Sequence, residues 1–105
     1  MTLTADDFDR LSVFLQNRLA DARAQLPADA RDAALALDAL HYEIARAAGA
    51  VGLLRAGVPD PRVADAWETL RHMARLWKDH ADFEVAFALP SRDLSGATGH
   101  VPLAG

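Results

Sequence analysis

The stretch AALALDALHYEIARAAGAVGLL, residues 33–54, decides the fold. Its apolar residues recur at alternating steps of four and three, at Ala33, Leu37, Leu40, Ile44, Ala47, Val51 and Leu54. This spacing places them on one face of an α-helix and is the heptad pattern of helices that pack along each other. Pro27 precedes the stretch and Gly57 follows it. We therefore predict a helix over about residues 30–56.

The residues before this helix predict another one. Thr4 is suited to cap a helix start, and Asp6 and Asp7 would lie in its first turn, where the helix dipole favours acids. Apolar residues then recur at steps of three and four, at Phe8, Leu11, Leu15, Leu19, Ala22 and Leu26. The pattern predicts a first helix over about residues 5–26, ended by Pro27, and Asp29 is expected to cap the second helix.

A third helix follows the sequence Gly-Val-Pro-Asp-Pro at residues 57–61. Gly57 is suited to end a helix, Asp60 to cap the next one and Pro61 to occupy its first position. The four-and-three alternation then returns at Val63, Trp67, Leu70, Ala74, Trp77 and Ala81. We predict a helix over about residues 61–89 that runs antiparallel to the second, because the connection between them is short.

Together these patterns predict an all-α fold. We expect one domain over residues 1–90, a three-helix bundle with a long antiparallel hairpin between its second and third helices. Residues 91–105 are rich in Gly, Ser and Pro and show no periodicity, so they are predicted to form a mobile tail.

The composition limits the class of function. With 11 basic against 15 acidic residues, the chain has no basic field to attract nucleic acid. The most apolar stretch is interrupted by charges, which argues against a membrane span, and the absence of cysteine fits a reducing cytoplasm. The abundance of alanine and arginine is typical of GC-rich genomes such as those of actinobacteria.

The predicted third helix carries a second apolar line besides its heptad face. Its members are Leu76, His80, Phe83 and Phe87. Either the first helix covers this line, or it is an interface for a partner protein or a second copy of the chain. The second alternative predicts a non-enzymatic helical interaction module, a small regulator, inhibitor or adaptor that self-associates.

The alternative function is a bundle that binds a metal or a small ligand, with an enzyme as one form of this alternative. His41, Trp67 and Trp77 would line its pocket. Glu68 with His72, and His80 with Glu84, are spaced i, i+4 and are the candidate metal ligands.

We predict neither a metal site nor a cofactor, since the two Glu–His pairs point in different directions by helical phase and match no ligand template. No Ser or Thr lies beside an oriented histidine in the pattern, so no catalytic set is predicted.

Two segments resemble a family of small uncharacterised proteins of actinobacteria and their phages. The first segment is Phe14-Leu15-x-x-Arg18-Leu19-x-Asp21. The second is Leu70-Arg71-x-x-Ala74 followed by Asp79-His80-x-Asp82-Phe83. The resemblance implies an actinobacterial or phage origin and assigns no activity.

Overall fold

A computed structural model describes residues 2–58 and 60–94. These residues are mostly helical and form no strand, so the all-α class is confirmed. Four α-helices are present, α1 Ala5–Ala24, α2 Arg31–Ala48, α3 Val51–Arg55 and α4 Pro61–Ala74. Three short 3₁₀ helices follow at Arg75–Trp77, Val85–Ala88 and Ser91–Asp93.

The start of α1 is held by a capping box. The Thr4 hydroxyl accepts a hydrogen bond from the backbone N–H of Asp7 at 3.3 Å. In return, the Asp7 carboxylate accepts one from the backbone N–H of Thr4 at 2.8 Å. Two N–H groups that have no partner within the helix are thereby satisfied. The helix start predicted at Thr4 is confirmed.

The second helix differs from the prediction at both ends. Ala30 stands at its N-cap without a side-chain hydrogen bond, so the cap predicted at Asp29 is wrong. The helix predicted over 30–56 is divided into α2 and α3 by a turn at Gly49 and Ala50. Glycine destabilises a helix interior by about 1 kcal/mol relative to alanine. Gly49 lies in this turn and Gly52 lies in the first turn of α3, so the two glycines favour a break at this place.

The start of α4 agrees with the prediction from the residue types at 57–61. The Asp60 carboxylate accepts a hydrogen bond from the backbone N–H of Arg62 at 2.9 Å, and Pro61 occupies the first helical position. Hydrogen bonds from the Arg62 side chain and backbone lower the pKa of Asp60 to about 2. Gly57 ends the preceding segment with a φ of +70°, a conformation that favours glycine. The turn predicted at residues 57–61 is confirmed at these positions.

The third helix is much shorter than predicted. The α-helix expected over 61–89 ends at Ala74, and a 3₁₀ turn ends at Trp77. The His80 ring nitrogen Nδ1 accepts a hydrogen bond from the backbone N–H of Asp82 at 3.0 Å, which stabilises a turn in place of a further helical turn. The chain then leaves the α4 axis and packs across α1. The third α-helix is therefore about half as long as predicted.

The first residues of the predicted tail are fixed to the body. Ser91 donates its backbone N–H to the Glu68 carboxylate at 2.9 Å, and Leu94 forms an isolated bridge with Leu3. Leu3 donates its backbone N–H to the backbone carbonyl of Asp93 at 2.7 Å. The mobile tail predicted over 91–105 is thus wrong for residues 91–94. Residues 95–105 lie outside the described part of the chain.

The core joins α1, α4 and residues 75–94, which we call the C-terminal segment. α1 packs against both α2 and α4, and α2 also contacts α4. Phe8 and Trp67 meet at its centre with their rings 5.6 Å apart. The buried apolar residues are Leu3, Phe8, Leu11, Phe14, Leu15, Leu19, Ile44, Val63, Trp67, Leu70, Ala74, Phe87 and Leu94. None of the helices in the described residues is long and apolar enough to cross a lipid bilayer.

Candidate interaction surface

The second helix is the least buried part of the fold. Ile44 is the one buried residue of α2, and no residue between Ala20 and Glu43 is buried. This 24-residue segment nevertheless contains nine alanines and four leucines. Helices of this composition ordinarily pack against a neighbour on more than one side. The first half of α2 therefore carries apolar surface that the rest of the described chain does not cover.

The heptad face predicted for α2 is covered along only part of its length. Ile44 is buried, and Ala47 and Val51 are partly buried against the core. Towards the start of the helix, Leu40 is 38% exposed and Ala33 is exposed. The cover of this face therefore decreases from Ile44 towards the start of α2.

A second stripe runs along the outer side of α2. Its members are Asp32, Leu35, Ala39, Tyr42 and Arg46, and we call them the outer stripe. They recur at steps of three and four, so at about 100° per residue they share one face of the helix, away from Ile44. All five are exposed.

The apolar members of the outer stripe are large and accessible. Leu35 is 61% exposed and Tyr42 is 68% exposed, and Ala39 lies between them. An acid stands at one end of the stripe and a base at the other. The Arg46 guanidinium lies 3.4 Å from the Glu43 carboxylate of the same helix, an exposed pair that contributes little to stability. This arrangement suits contact with another protein surface.

The predicted interface residues do not share one face. Leu76 is 79% exposed, whereas Phe87 is 1% exposed and belongs to the core. Phe83 is partly buried, with its ring 5.9 Å from that of Phe14 in an edge-to-face arrangement. His80 is also partly buried against Phe14. The line predicted from helical spacing is broken, because the chain leaves the helix before His80 and covers α1 with the aromatic rings.

An arginine that the sequence analysis did not select holds the turn at His80. The Arg18 guanidinium lies 3.1 Å from His80 Nδ1 and 5.3 Å from the centre of the Phe14 ring. Because Arg18 and the Asp82 backbone N–H are both donors, Nδ1 must accept, and the histidine proton resides on Nε2. Arg18 follows Leu11 and Leu15 on the apolar side of α1. A charged residue on the apolar side of a helix indicates a specific polar partner, and this signal was readable in the sequence.

The predicted ligand-lining residues do not enclose a pocket together. Trp67 is fully buried, and its indole Nε1 donates to the Leu89 carbonyl at 2.8 Å. Trp77 is partly buried against the core and His41 is partly buried on α2. Two grooves in the described residues are lined by other side chains. The structure thus uses Trp67 as a core residue.

The candidate metal ligands are occupied by other partners. The Glu68 carboxylate accepts hydrogen bonds from Arg71 Nε and from the Ser91 backbone N–H, both at 2.9 Å. Burial raises the pKa of Glu68, but these two hydrogen bonds outweigh it and leave that pKa below its usual value. His72 Nε2 lies 3.9 Å from the Glu68 carboxylate.

The second candidate pair, His80 and Glu84, also contacts other side chains. Glu84 lies 3.2 Å from Arg10, and His80 contacts Arg18. Within residues 2–58 and 60–94, no three His, Asp or Glu side chains are grouped closely enough to hold a metal ion.

One groove of small-molecule size lies where α2, α3 and α4 meet. Its volume is about 470 Å³. Its lining includes both apolar and charged side chains, with Ala47 and Leu53 among the apolar ones and Glu43, Arg46, Arg62 and Asp65 as the charged ones. Small-molecule sites usually have volumes of about 300–1,000 Å³, so its size suits a ligand.

Comparison with known proteins assigns no family. No protein-family model matches the chain, and neither a curated protein nor a solved structure is significantly similar to it.

Proposed function

We propose that this chain is a non-enzymatic helical protein-interaction module that self-associates and acts as a small regulator, inhibitor or adaptor. The observation that supports the proposal is α2, an alanine- and leucine-rich helix with a single buried residue. The proposed contact surface is α2 and not the line of Leu76, His80, Phe83 and Phe87. Exposed apolar patches rimmed by charged groups are typical of protein contact sites.

The proposed architecture is a three-helix bundle of α1, α2 and α4, in which α2 and α4 run antiparallel. The pairwise contacts among these helices support the bundle. The ion pair between Arg23 and Asp38 joins the end of α1 to the first half of α2. Arg55, at the end of α3, lies 3.2 Å from Asp6 in the first turn of α1. These two ion pairs support an antiparallel course of α1 and the α2–α3 segment.

The cellular compartment and the organism of origin are also proposals. The absence of cysteine supports action in the cytoplasm, and the composition supports an actinobacterial or phage origin. The similarity at Phe14–Asp21 and Leu70–Phe83 to the uncharacterised actinobacterial and phage family supports the same origin.

Native mass tests the proposal. The wild-type chain, of 11.3 kDa, should show a concentration-dependent mass above that of a monomer in sedimentation equilibrium. Substituting Leu35→Ser and Tyr42→Ser together should return the mass to that of the monomer without unfolding the chain, because both side chains are exposed. Leu76→Ser is the matched control, since Leu76 is equally exposed but lies off α2.

Two outcomes would contradict the proposal. A wild-type chain that remains monomeric up to about millimolar concentration would show no self-association. A mass that falls as much with Leu76→Ser as with the Leu35 and Tyr42 substitutions would show that α2 is not the contact surface.

The groove between α2, α3 and α4 supports a second candidate function, the binding of a small molecule. Its lining contains the bases Arg46 and Arg62 as well as the acid Asp65, which suits a ligand that carries both charges. A screen of free amino acids and dipeptides by thermal shift tests this candidate. Stabilisation lost in Arg62→Ala would support it, and the absence of any shift across the set would contradict it.

A further inference from the structure

We infer that the partner at the outer stripe is a second copy of this chain, and that the two α2 helices pair antiparallel about a two-fold axis at Ala39. This inference rests on the proposed function, because it specifies how the self-association takes place. It follows from the order of charged, apolar and small residues along the stripe.

The charges of the outer stripe are self-complementary. Asp32 lies seven residues before Ala39, and Arg46 lies seven residues after it. If two α2 helices run antiparallel with their Ala39 residues facing, each Asp32 lies level with the partner's Arg46. The symmetric interface then contains this ion pair twice. A parallel pairing in register would instead place acid beside acid and base beside base, which is unfavourable.

The apolar residues match about the same axis. Leu35 and Tyr42 lie on opposite sides of Ala39, separated from it by four and three residues. In the antiparallel arrangement, Leu35 lies within one residue of the level of the partner's Tyr42. The two most exposed apolar side chains of α2 would therefore cover each other. Ala36 and Ala39 are small and permit the backbones to approach closely.

The stripe is long enough for a helix pair. Its spacing of three and four matches the heptad repeat of helices that pack side by side. From Asp32 to Arg46 it extends about 21 Å at about 1.5 Å per residue. A contact of this length is at the small end of specific protein interfaces, so we expect a reversible dimer with a dissociation constant of about micromolar order.

Disulfide cross-linking tests the orientation directly, because the chain contains no cysteine. Ala39→Cys lies on the proposed axis and should cross-link readily on mild oxidation. Leu35→Cys should not, because four residues from the axis in each copy place the two sulfurs about 12 Å apart along the helices, beyond the reach of a disulfide. A parallel pair would instead cross-link at both positions.

A charge exchange tests the ion pairs. Asp32→Arg should weaken the dimer about tenfold, since it places like charges together at two symmetric sites. Asp32→Arg combined with Arg46→Asp should restore the wild-type dissociation constant to within about threefold. Asp29→Arg serves as the control for net charge, because it changes the charge by the same +2 and Asp29 lies before α2, off the stripe.

The outcomes separate this inference from the proposed function. A dimer that cross-links at Leu35→Cys, or that the exchange of Asp32 and Arg46 does not restore, overturns the antiparallel pairing and leaves self-association intact. A wild-type chain that remains monomeric overturns both. A monomer whose α2 surface binds a different protein instead would overturn the inference.

Discussion

The Glu68 carboxylate joins α4 to the C-terminal segment through Arg71 and the Ser91 backbone N–H. Its pKa is lowered in the folded chain, so it contributes stability above its unfolded value of 4.5 and loses that contribution as pH falls through the folded value. Glu68→Gln should therefore lower the free energy of unfolding by about 1 kcal/mol at pH 7 and have progressively less effect below pH 4.5.

Urea unfolding between pH 3 and pH 7 measures this effect. Asp65→Asn on the same helix is the control and should change the free energy of unfolding by less than about 0.5 kcal/mol at pH 7. An equal loss at pH 3 and pH 7 for Glu68→Gln would show that the ionised carboxylate does not hold the segment.

Leu76 and Phe87 provide a second comparison of single residues, because helical spacing predicted one shared surface for them. Phe87→Ala should lower the free energy of unfolding by about 3–5 kcal/mol, since the ring is buried in the core. Leu76→Ala should change it by less than about 0.5 kcal/mol, since that side chain is exposed. Chemical denaturation of both variants would show similar losses if the two residues shared one helical face.

At the level of elements, the sequence predicted the helix starts better than the helix ends. Thr4 and Asp60 cap their helices through short-range hydrogen bonds, and such contacts are visible as residue types at fixed spacing. The end at Ala74 depends on distant contacts, above all those of Arg18 with His80 and of Trp67 with Leu89. Periodicity along one helix carries no information about such contacts.

The candidate interaction surface was also predictable only in part, because its residue spacing is local and its exposure depends on distant contacts. The spacing of Leu35, Ala39 and Tyr42 was readable in the sequence, but the inner heptad face of α2 has the same spacing. Which face is covered depends on how α1 and α4 pack against α2, and these contacts are distant in sequence. The prediction of an interface on Phe83 and Phe87 was wrong because those rings pack against Phe14.

The break between α2 and α3 leads to a prediction about glycine. A Cβ added at Gly52 would meet no atom within 4 Å, so Gly52→Ala should stabilise the chain by about 0.5–1 kcal/mol. Gly57→Ala should destabilise it by about 1 kcal/mol, because φ is +70° there. Thermal unfolding of both variants measures the difference, and a loss of stability in Gly52→Ala would contradict the open environment described for that residue.

For the molecule as a whole, apolar burial is unevenly distributed. The core lies among α1 as far as Leu19, Ile44 of α2, the length of α4 and the C-terminal segment, whereas residues 20–43 contain no buried side chain. The end of α1 and the first half of α2 stabilise each other weakly without a third layer, because helices gain most of their stability from tertiary packing. Pairing of α2 between two copies would supply such a layer and would stabilise the segment that the single chain leaves exposed.

Amide hydrogen exchange followed across a dilution series tests this proposal most directly. Exchange in α2, at residues 33–46, should slow as protein concentration rises through the range in which the native mass increases, because the paired helix opens less often. Exchange in α4, at residues 63–74, should not change. Equal exchange in α2 at every concentration, while the mass increases, would show that the copies associate through another surface.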